Sequence, residues 1–348
     1  MPLPSSSCRV AVLVGPERGF DVDSIDPTIR QQLEQHVQLV DYETAKASAE
    51  TEPVDVIATF AHVLVGKELV TALSPSRALK AVVNYGVGVD HINLDEMREL
   101  GIPVCNTPGV LSGATADMAW ALLMACARNI VQCDAYCRSD AYTVYRNMIF
   151  LGRDVHHKTI GIVGLGRIGT EIARRAKGFH MRILYHNRSP NKDAEDKLGA
   201  TLVSLDDLLK ESDYVVLVCP CTPETTGLIS TPQLKLMKPL TGSHAHTHTY
   251  TCTYSRSTAF LVNIARGPVV DTDALVAALQ SKEIAGAGLD VTDPEPLPLG
   301  HPLRTLDNVV LAPHRGSATA EARAAMAQLV IDNVLAAARG TPLLTRCA

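Results

Sequence analysis

The chain has 348 residues, 46% of them hydrophobic and 20% charged, with a formal net charge of -5. That length exceeds one typical core and suits two domains, and the absence of a basic run leaves no footprint for nucleic acid or a membrane surface. The opening MPLPSSSC lacks the charged and apolar regions of a signal peptide, and the longest apolar helical stretch, MAWALLMACA (118–127), is too short to span a bilayer. The nine cysteines show no zinc spacing. Their odd number and a large core favour reduced thiols and a cytoplasmic location over a disulfide framework.

In chain order, RVAVLVG (9–15), VDVIATF (54–60), LKAVVNYG (79–86) and IPVCNTPG (102–109) are short Val-rich runs, the form of buried parallel strands. Polar helical stretches such as DPTIRQQLEQH and LDEMRELG separate them. One long helix is expected from Gly113 to Tyr136, then an irregular stretch at 138–157. A second series of strands follows at 158–166, 181–187, 213–220, 259–267, 284–291 and 308–314. An amphipathic helix over 319–340 is closed by Gly340 and Pro342. Alternating strand and helix predicts an α/β fold of two doubly wound parallel-sheet domains. The second, a Rossmann dinucleotide-binding domain over 116–316, is inserted in a flavodoxin-like substrate domain of residues 1–115 and 317–348.

Gly164-Leu165-Gly166-Arg167-Ile168-Gly169 is a GxGxxG entered from an apolar strand and left by a helix. That context, more than the glycines alone, marks a pyrophosphate site at a helix N-terminus. The next strand ends LYHNRSP without the acid that would hold a ribose 2′-hydroxyl. Asn187, Arg188 and Ser189 stand there, and an arginine beside a hydroxyl suits a 2′-phosphate. NADP(H) is therefore the expected cofactor, with NAD(H) the alternative.

Three residues follow strands of the second domain, where open α/β sheets place ligands: Arg266 in LVNIARG, Glu295 in DPEP and His314 in LAPHRGS. Taken singly, each is an ordinary surface or loop residue. Together, behind a dinucleotide motif, they suit a 2-oxo acid. Arginine grips carboxylate and carbonyl with its planar fork, histidine gives a proton to the carbonyl oxygen, and a carboxylate favours the imidazolium.

These residues sit in NYGVGVDHI (84–92), NTPGVLSGATADMAWALLMA (106–125), HKTIGIVGLGRIG (157–169), VCPCTPETTGLI (218–229), LVNIARGPVVD (261–271), AGLDVTDPEP (287–296) and LAPHRGSAT (311–319). Over nearly its whole length the chain resembles the D-isomer specific 2-hydroxyacid dehydrogenase family, glyoxylate/hydroxypyruvate reductase branch. The resemblance implies that Arg266 binds substrate, that His314 is the acid/base and that Glu295 pairs with it. It implies that Val87 and Gly88 offer backbone N–H groups to the substrate carboxylate. It puts Cys219, Pro220, Ile264, Asp290 and Gly316 along the cofactor with Thr115 nearby. It implies a homodimer reached through YTVYRNMIFLG (142–152), and a domain pair that closes over the substrate. Thr59, Phe60, Ala61 and His62 are expected to shape a pocket for glyoxylate or hydroxypyruvate. A non-catalytic, dinucleotide-sensing protein of the corepressor kind is the alternative function.

Residues 240–257, LTGSHAHTHTYTCTYSRS, interrupt this pattern. Without them the chain reads LMKP–TAFLVNIARG. Alternating His and Thr is what a (CA)n repeat encodes, so the segment reads as a translated microsatellite insertion. His244, His246, His248 and Cys252 are metal-ligand types. In an extended segment, though, the histidines fall on one side without closing a site, and a surface loop is the favoured reading over a strand or a metal site. The insertion joins the N-terminal end of its strand and Arg266 lies at the other end, so activity is expected to survive it.

Overall fold

A computed structural model describes residues 8–13, 25–76, 79–238 and 258–348. The segment 240–257 and its expected loop lie outside the described residues. The chain divides into two compact units, Met1–Leu111 with Ala318–Ala348, and Ser112–Ser317.

The first unit contains β1 (Arg9–Leu13), α1 (Pro27–Glu34), β2 (Gln38–Asp41), α2 (Tyr42–Ala47), β3 (Val56–Thr59), α3 (Lys67–Leu73), β4 (Ala81–Asn84), α4 (Leu94–Glu99) and β5 (Val104–Cys105), joined after the second unit by α12 (Ala320–Arg339). Its parallel sheet runs in the order β2-β1-β3-β4-β5, the flavodoxin-like winding. Every residue of β1, β3 and β4 is buried, as the apolar runs required. Val330, Ile331 and Val334 of α12 pack into the core on one face of this sheet, each buried aliphatic side chain contributing about 1.5–3 kcal/mol. Asp26, Asn93 and Thr319 cap α1, α4 and α12 through their side-chain oxygens.

The second unit contains α5 (Ser112–Ala127), α6 (Ile130–Cys137), β6 (Thr159–Val163), α7 (Arg167–Gly178), β7 (Arg182–His186), α8 (Lys192–Leu198), β8 (Thr201–Leu202), α9 (Leu205–Glu211), β9 (Tyr214–Leu217), α10 (Thr231–Leu236), β10 (Phe260–Asn263), α11 (Thr272–Gln280), β11 (Gly286–Leu289) and β12 (Val309–Leu311). Its sheet order, β12-β11-β10-β9-β6-β7-β8, is the Rossmann winding with one further strand. The winding reverses between β6 and β9. The apolar helix α5 lies close on the sheet: a Cβ on Gly288 of β11 would meet Leu122 Cβ at 3.0 Å and Cys126 Sγ at 3.2 Å. Trp120 of α5 stacks on Phe179 at 4.6 Å and donates to the Ile172 carbonyl at 3.2 Å, fixing α5 against α7.

The single helix expected over 113–136 is two helices. It breaks at Asn129, whose φ of 52° is left-handed, a conformation asparagine tolerates better than most residues. The Asn129 amide then donates to the carbonyls of Phe150 and Leu151, tying down the irregular stretch that follows. Among the described residues of that stretch, Tyr142, Val144, Tyr145, Met148, Ile149, Phe150 and Leu151 are exposed.

Candidate active site

The glycine-rich loop stands at the point where the second sheet reverses. β6 enters Gly164, whose φ of +105° lies in the left-handed region, and a Cβ there would sit 2.7 Å from Cys219 N and 2.8 Å from Cys219 Cα. The loop after β6 therefore lies directly on the segment after β9. A Cβ on Gly169 would approach the Gly164 carbonyl oxygen to 2.3 Å, so the third glycine sets how closely α7 packs on its own strand. Around Gly166 there is open space, with nothing within 4 Å of a built Cβ. Gly166 caps α7 without a side-chain hydrogen bond, leaving first-turn N–H groups, those of Arg167 and Ile168 among them, to an external acceptor. Turn, approach and packing are divided among the three glycines as a pyrophosphate site requires, so the chain's own residues fit a dinucleotide.

The end of β7 is tied to this loop. Asn187 Oδ1 accepts from Leu165 N at 2.6 Å, and Asn191 Nδ2 donates to the Leu165 carbonyl at 2.9 Å. Asn191 is held in turn by the Tyr185 hydroxyl, which donates to Glu195 at 2.7 Å. Arg188 and Ser189 are exposed at the same strand end. Glu224 has a carboxyl held below the usual range, by a hydrogen bond from Thr222 first and by the Arg188 charge as a lesser cause.

Arg266, Ile264, Asp290, Glu295, His314 and Gly316 come together on the loops after β10, β11 and β12. Arg266 follows β10 at a turn shaped by Asn263, which accepts from Ala265 N at 3.0 Å and donates to the Arg266 carbonyl at 2.9 Å. A Cβ on Gly267 would fall 2.0 Å from the Thr292 carbonyl oxygen, so the loop carrying Arg266 is pressed onto the loop leading to Glu295. Glu295 Oε1 stands 2.8 Å from His314 Nδ1. A carboxylate only accepts, which assigns a proton to Nδ1. His314 has a left-handed φ of 53°, pinned by its N–H to the Asp290 carbonyl at 2.7 Å. Buried Asp290 also accepts from the N–H groups of Arg315 at 2.6 Å and Gly316 at 2.8 Å. Burial raises its carboxyl pKa above the ordinary value, and these N–H bonds oppose that rise. Thr115 of α5 lines the same spot, its Cγ2 3.2 Å from a Cβ built on Gly316. Cys219 and Pro220 follow β9, and burial pushes the Cys219 thiol up to about 11.

In the first unit, Val87 and Gly88 occupy the loop after β4, and His62 the loop after β3, where its ring meets His91 edge-on at 5.2 Å. Thr59 corrects the expected pocket lining. It is fully buried, and its hydroxyl donates to Asn84 Oδ1 at 2.7 Å, because the last residue of a strand buried on both faces points into the sheet's packing. The Phe60 ring packs against that of Tyr85, tilted by 33° with centroids 5.3 Å apart. Two asparagines that tie down loops at strand ends, Asn84 and Asn263, had no place in the sequence-based expectations. The one signal was an amide at the end of each otherwise apolar strand.

A phosphate-binding helix N-terminus at the reversal of a doubly wound sheet, with arginine, carboxylate and histidine on the neighbouring strand ends, defines a dinucleotide-dependent oxidoreductase. The family model described as D-isomer specific 2-hydroxyacid dehydrogenase, NAD binding domain, matches residues 120–316. A glyoxylate reductase of Thermococcus onnurineus is 52% identical over 266 residues, 75% of this chain and 74% of that one. One of Pyrococcus furiosus is 51% identical over the same shares. Among solved structures, an NADPH-dependent glyoxylate/hydroxypyruvate reductase of Sinorhizobium meliloti, in complex with NADP and malonate, superposes with a TM-score of 0.80 at 31% identity, covering 99% of this chain and 97% of that one. The chain belongs to the D-isomer specific 2-hydroxyacid dehydrogenase family. It is an enzyme that uses a nicotinamide dinucleotide, not the non-catalytic sensor considered above.

Proposed function

We propose that the protein reduces glyoxylate or hydroxypyruvate to the corresponding 2-hydroxy acid with NADPH. The observation that carries this reading is the Glu295–His314 pair at 2.8 Å, on strand ends shared with Arg266 and with the glycine-rich loop. Gly164, Gly166, Arg167, Ile168, Thr115, Cys219, Pro220, Ile264, Asp290 and Gly316 hold the dinucleotide, which when bound supplies the hydride. Arg266 grips the substrate carboxylate and carbonyl, and its planar fork fixes their plane. His314 delivers a proton from Nε2 to the carbonyl oxygen. Glu295 holds Nδ1–H, keeping the ring in register for that transfer. Val87 and Gly88 donate backbone N–H groups to the carboxylate, and His62 borders the substrate.

Arg188 and Ser189 favour the 2′-phosphate, with Asn187 held on the glycine loop beside them. NAD(H) is the weaker cofactor on this reading. The two relatives named above are glyoxylate reductases, and the Sinorhizobium protein carries NADP in its complex. The stretch 142–152, with Tyr142, Val144, Tyr145, Met148, Ile149, Phe150 and Leu151 exposed, is the surface through which we infer a homodimer, since exposed apolar side chains gathered in one segment favour an interface. The eight described cysteines are thiols, which suits the cytoplasm.

Initial rates with glyoxylate and hydroxypyruvate, each with NADPH and NADH, test the reading. The expected result is turnover of at least one acid, faster at low cofactor concentration with NADPH. Equal or better use of NADH overturns the assignment of Arg188, and lack of turnover with both acids overturns the substrate.

A further inference from the structure

The loop over 86–88 is held by its carbonyl groups. Asn84 is 3% exposed and uses all of its hydrogen-bonding capacity. Its Oδ1 accepts from Thr59 Oγ1 at 2.7 Å and from His91 Nε2 at 3.1 Å, while its Nδ2 donates to the Gly86 carbonyl at 3.1 Å and the Gly88 carbonyl at 2.8 Å. The intervening Val87 carbonyl accepts from Asn106 Nδ2 at 2.8 Å. The Gly86 carbonyl takes a second bond, from Thr107 N at 3.0 Å. In a planar trans peptide the C=O and the following N–H point in opposite directions. Drawing three successive carbonyls onto asparagine amides therefore turns the N–H groups of Val87, Gly88 and Val89 the other way. Among the described residues none of the three donates a hydrogen bond. Gly86 permits the close clamp, since a Cβ there would stand 3.3 Å from Asn84 Nδ2.

Asn106 is itself set by a distant segment. Thr345 Oγ1 donates to the Asn106 carbonyl at 2.6 Å, and Asn106 N donates to the Thr345 carbonyl at 3.3 Å. Thr345 is fixed by Asn333 of α12, which is fully buried: Asn333 Nδ2 donates to Thr345 Oγ1 at 2.9 Å, and Oδ1 accepts from Leu344 N at 2.9 Å and Thr345 N at 3.3 Å. Val104 and Cys347 complete the pairing of this segment with β5.

We propose that Asn84 and Asn106, and through Asn106 the remote Thr345, are positioning residues for substrate: they hold the 86–88 loop with its N–H groups presented to the carboxylate. This rests on the reading of Val87 and Gly88 as carboxylate donors. None of the three side chains touches substrate in this scheme. Each determines whether the N–H groups are preorganised before substrate arrives, so their loss weakens carboxylate binding more than it slows the chemical step.

The test uses the full chain and oxamate, a carboxylate-bearing mimic of a 2-oxo acid, as the probe. Thr345→Val keeps the shape and removes the hydroxyl. It is expected to raise the KM for glyoxylate and the inhibition constant of oxamate about fivefold, with kcat and the KM for NADPH within about twofold. Asn106→Ala is expected to raise both by about tenfold or more, and Thr345→Ser to restore wild-type values. Arg266→Lys serves as the control for the substrate site itself. If it weakens oxamate while Thr345→Val and Asn106→Ala leave oxamate unchanged, the positioning role is wrong and the substrate reading stands. If none of the three affects oxamate, the substrate reading fails and this inference with it. Equal losses for oxamate and NADPH, together with a lowered melting temperature, also overturn it, since they mark general destabilisation.

Discussion

Adding one methyl group to either of two neighbouring glycines should separate cofactor binding from folding. In Gly166→Ala the new Cβ meets nothing within 4 Å, and the backbone φ of -86° is one that alanine adopts. The fold should be indifferent, with a melting temperature within about 2 °C of wild type, as for other substitutions that disturb no packing. The methyl instead occupies the space left for the pyrophosphate. Displacing the phosphates from two first-turn N–H groups forfeits charge-assisted bonds of about 1.5–3 kcal/mol each, or at least about a 100-fold loss of affinity. In Gly164→Ala the Cβ falls 2.7 Å from Cys219 N, at a φ of +105°. The left-handed backbone costs about 1–2 kcal/mol and the overpacking about 1–3 kcal/mol more. In a unit of this size the sum lowers the melting temperature by about 5–15 °C. The assay is thermal melting with and without NADPH, with calorimetric titration of each variant. Gly166→Ala retaining full cofactor affinity, or melting as low as Gly164→Ala, would refute the division of labour assigned to this loop.

Arg188→Ala should raise the KM for NADPH about 10-fold or more while leaving that for NADH within about twofold, read from initial rates with each cofactor. An equal effect on both would place Arg188 outside the 2′-phosphate site. Deletion of 240–257 should leave a soluble enzyme with rates within about twofold of the full chain. The flanking Thr258 N already donates to the Lys238 carbonyl at 3.3 Å, and Pro239 alone bridges up to about 7 Å; an insoluble product would contradict the reading of this segment as an insertion. Burial pushes the thiols of Cys8 and Cys105 up to about 11 and that of Cys126 up to about 12, from an ordinary 9.0. Raised folded-state values mean a contribution fully present below about pH 9 and lost as pH rises through about 11 to 12, so melting temperature should fall across that window. A melting temperature that rises there would be contrary to the burial of these thiols.

The sequence carried the fold wherever strands are buried on both faces, because such strands read as unbroken apolar runs: β3, β4, β6, β9 and β10 all lie inside predicted spans. It was silent on the edge strands β2 and β8. QLVD is partly exposed and both residues of TL are exposed, so neither leaves a run to see. The break at Asn129 was hidden because apolar residues continue across it, and a left-handed asparagine is a backbone choice without a periodic signature. The chemical groups Arg266, Glu295 and His314 were visible as charged residues on strand ends. The amides that shape the loops were not: Asn263 fixes the turn at Arg266, while Asn84 and Asn333 hold segments of the first unit, each buried against backbone, and a buried asparagine has no pattern in one dimension.

The measurement that bears most directly on the account is NADPH oxidation by glyoxylate, compared between the wild-type enzyme and His314→Gln, with NADPH affinity determined for both by titration. The account predicts turnover by the wild type, a fall in kcat of about 10²–10⁴-fold in the variant, and an NADPH affinity unchanged within about twofold. A variant that turns over within tenfold of wild type, or a wild type that leaves NADPH unoxidised in the presence of glyoxylate and of hydroxypyruvate, would contradict it.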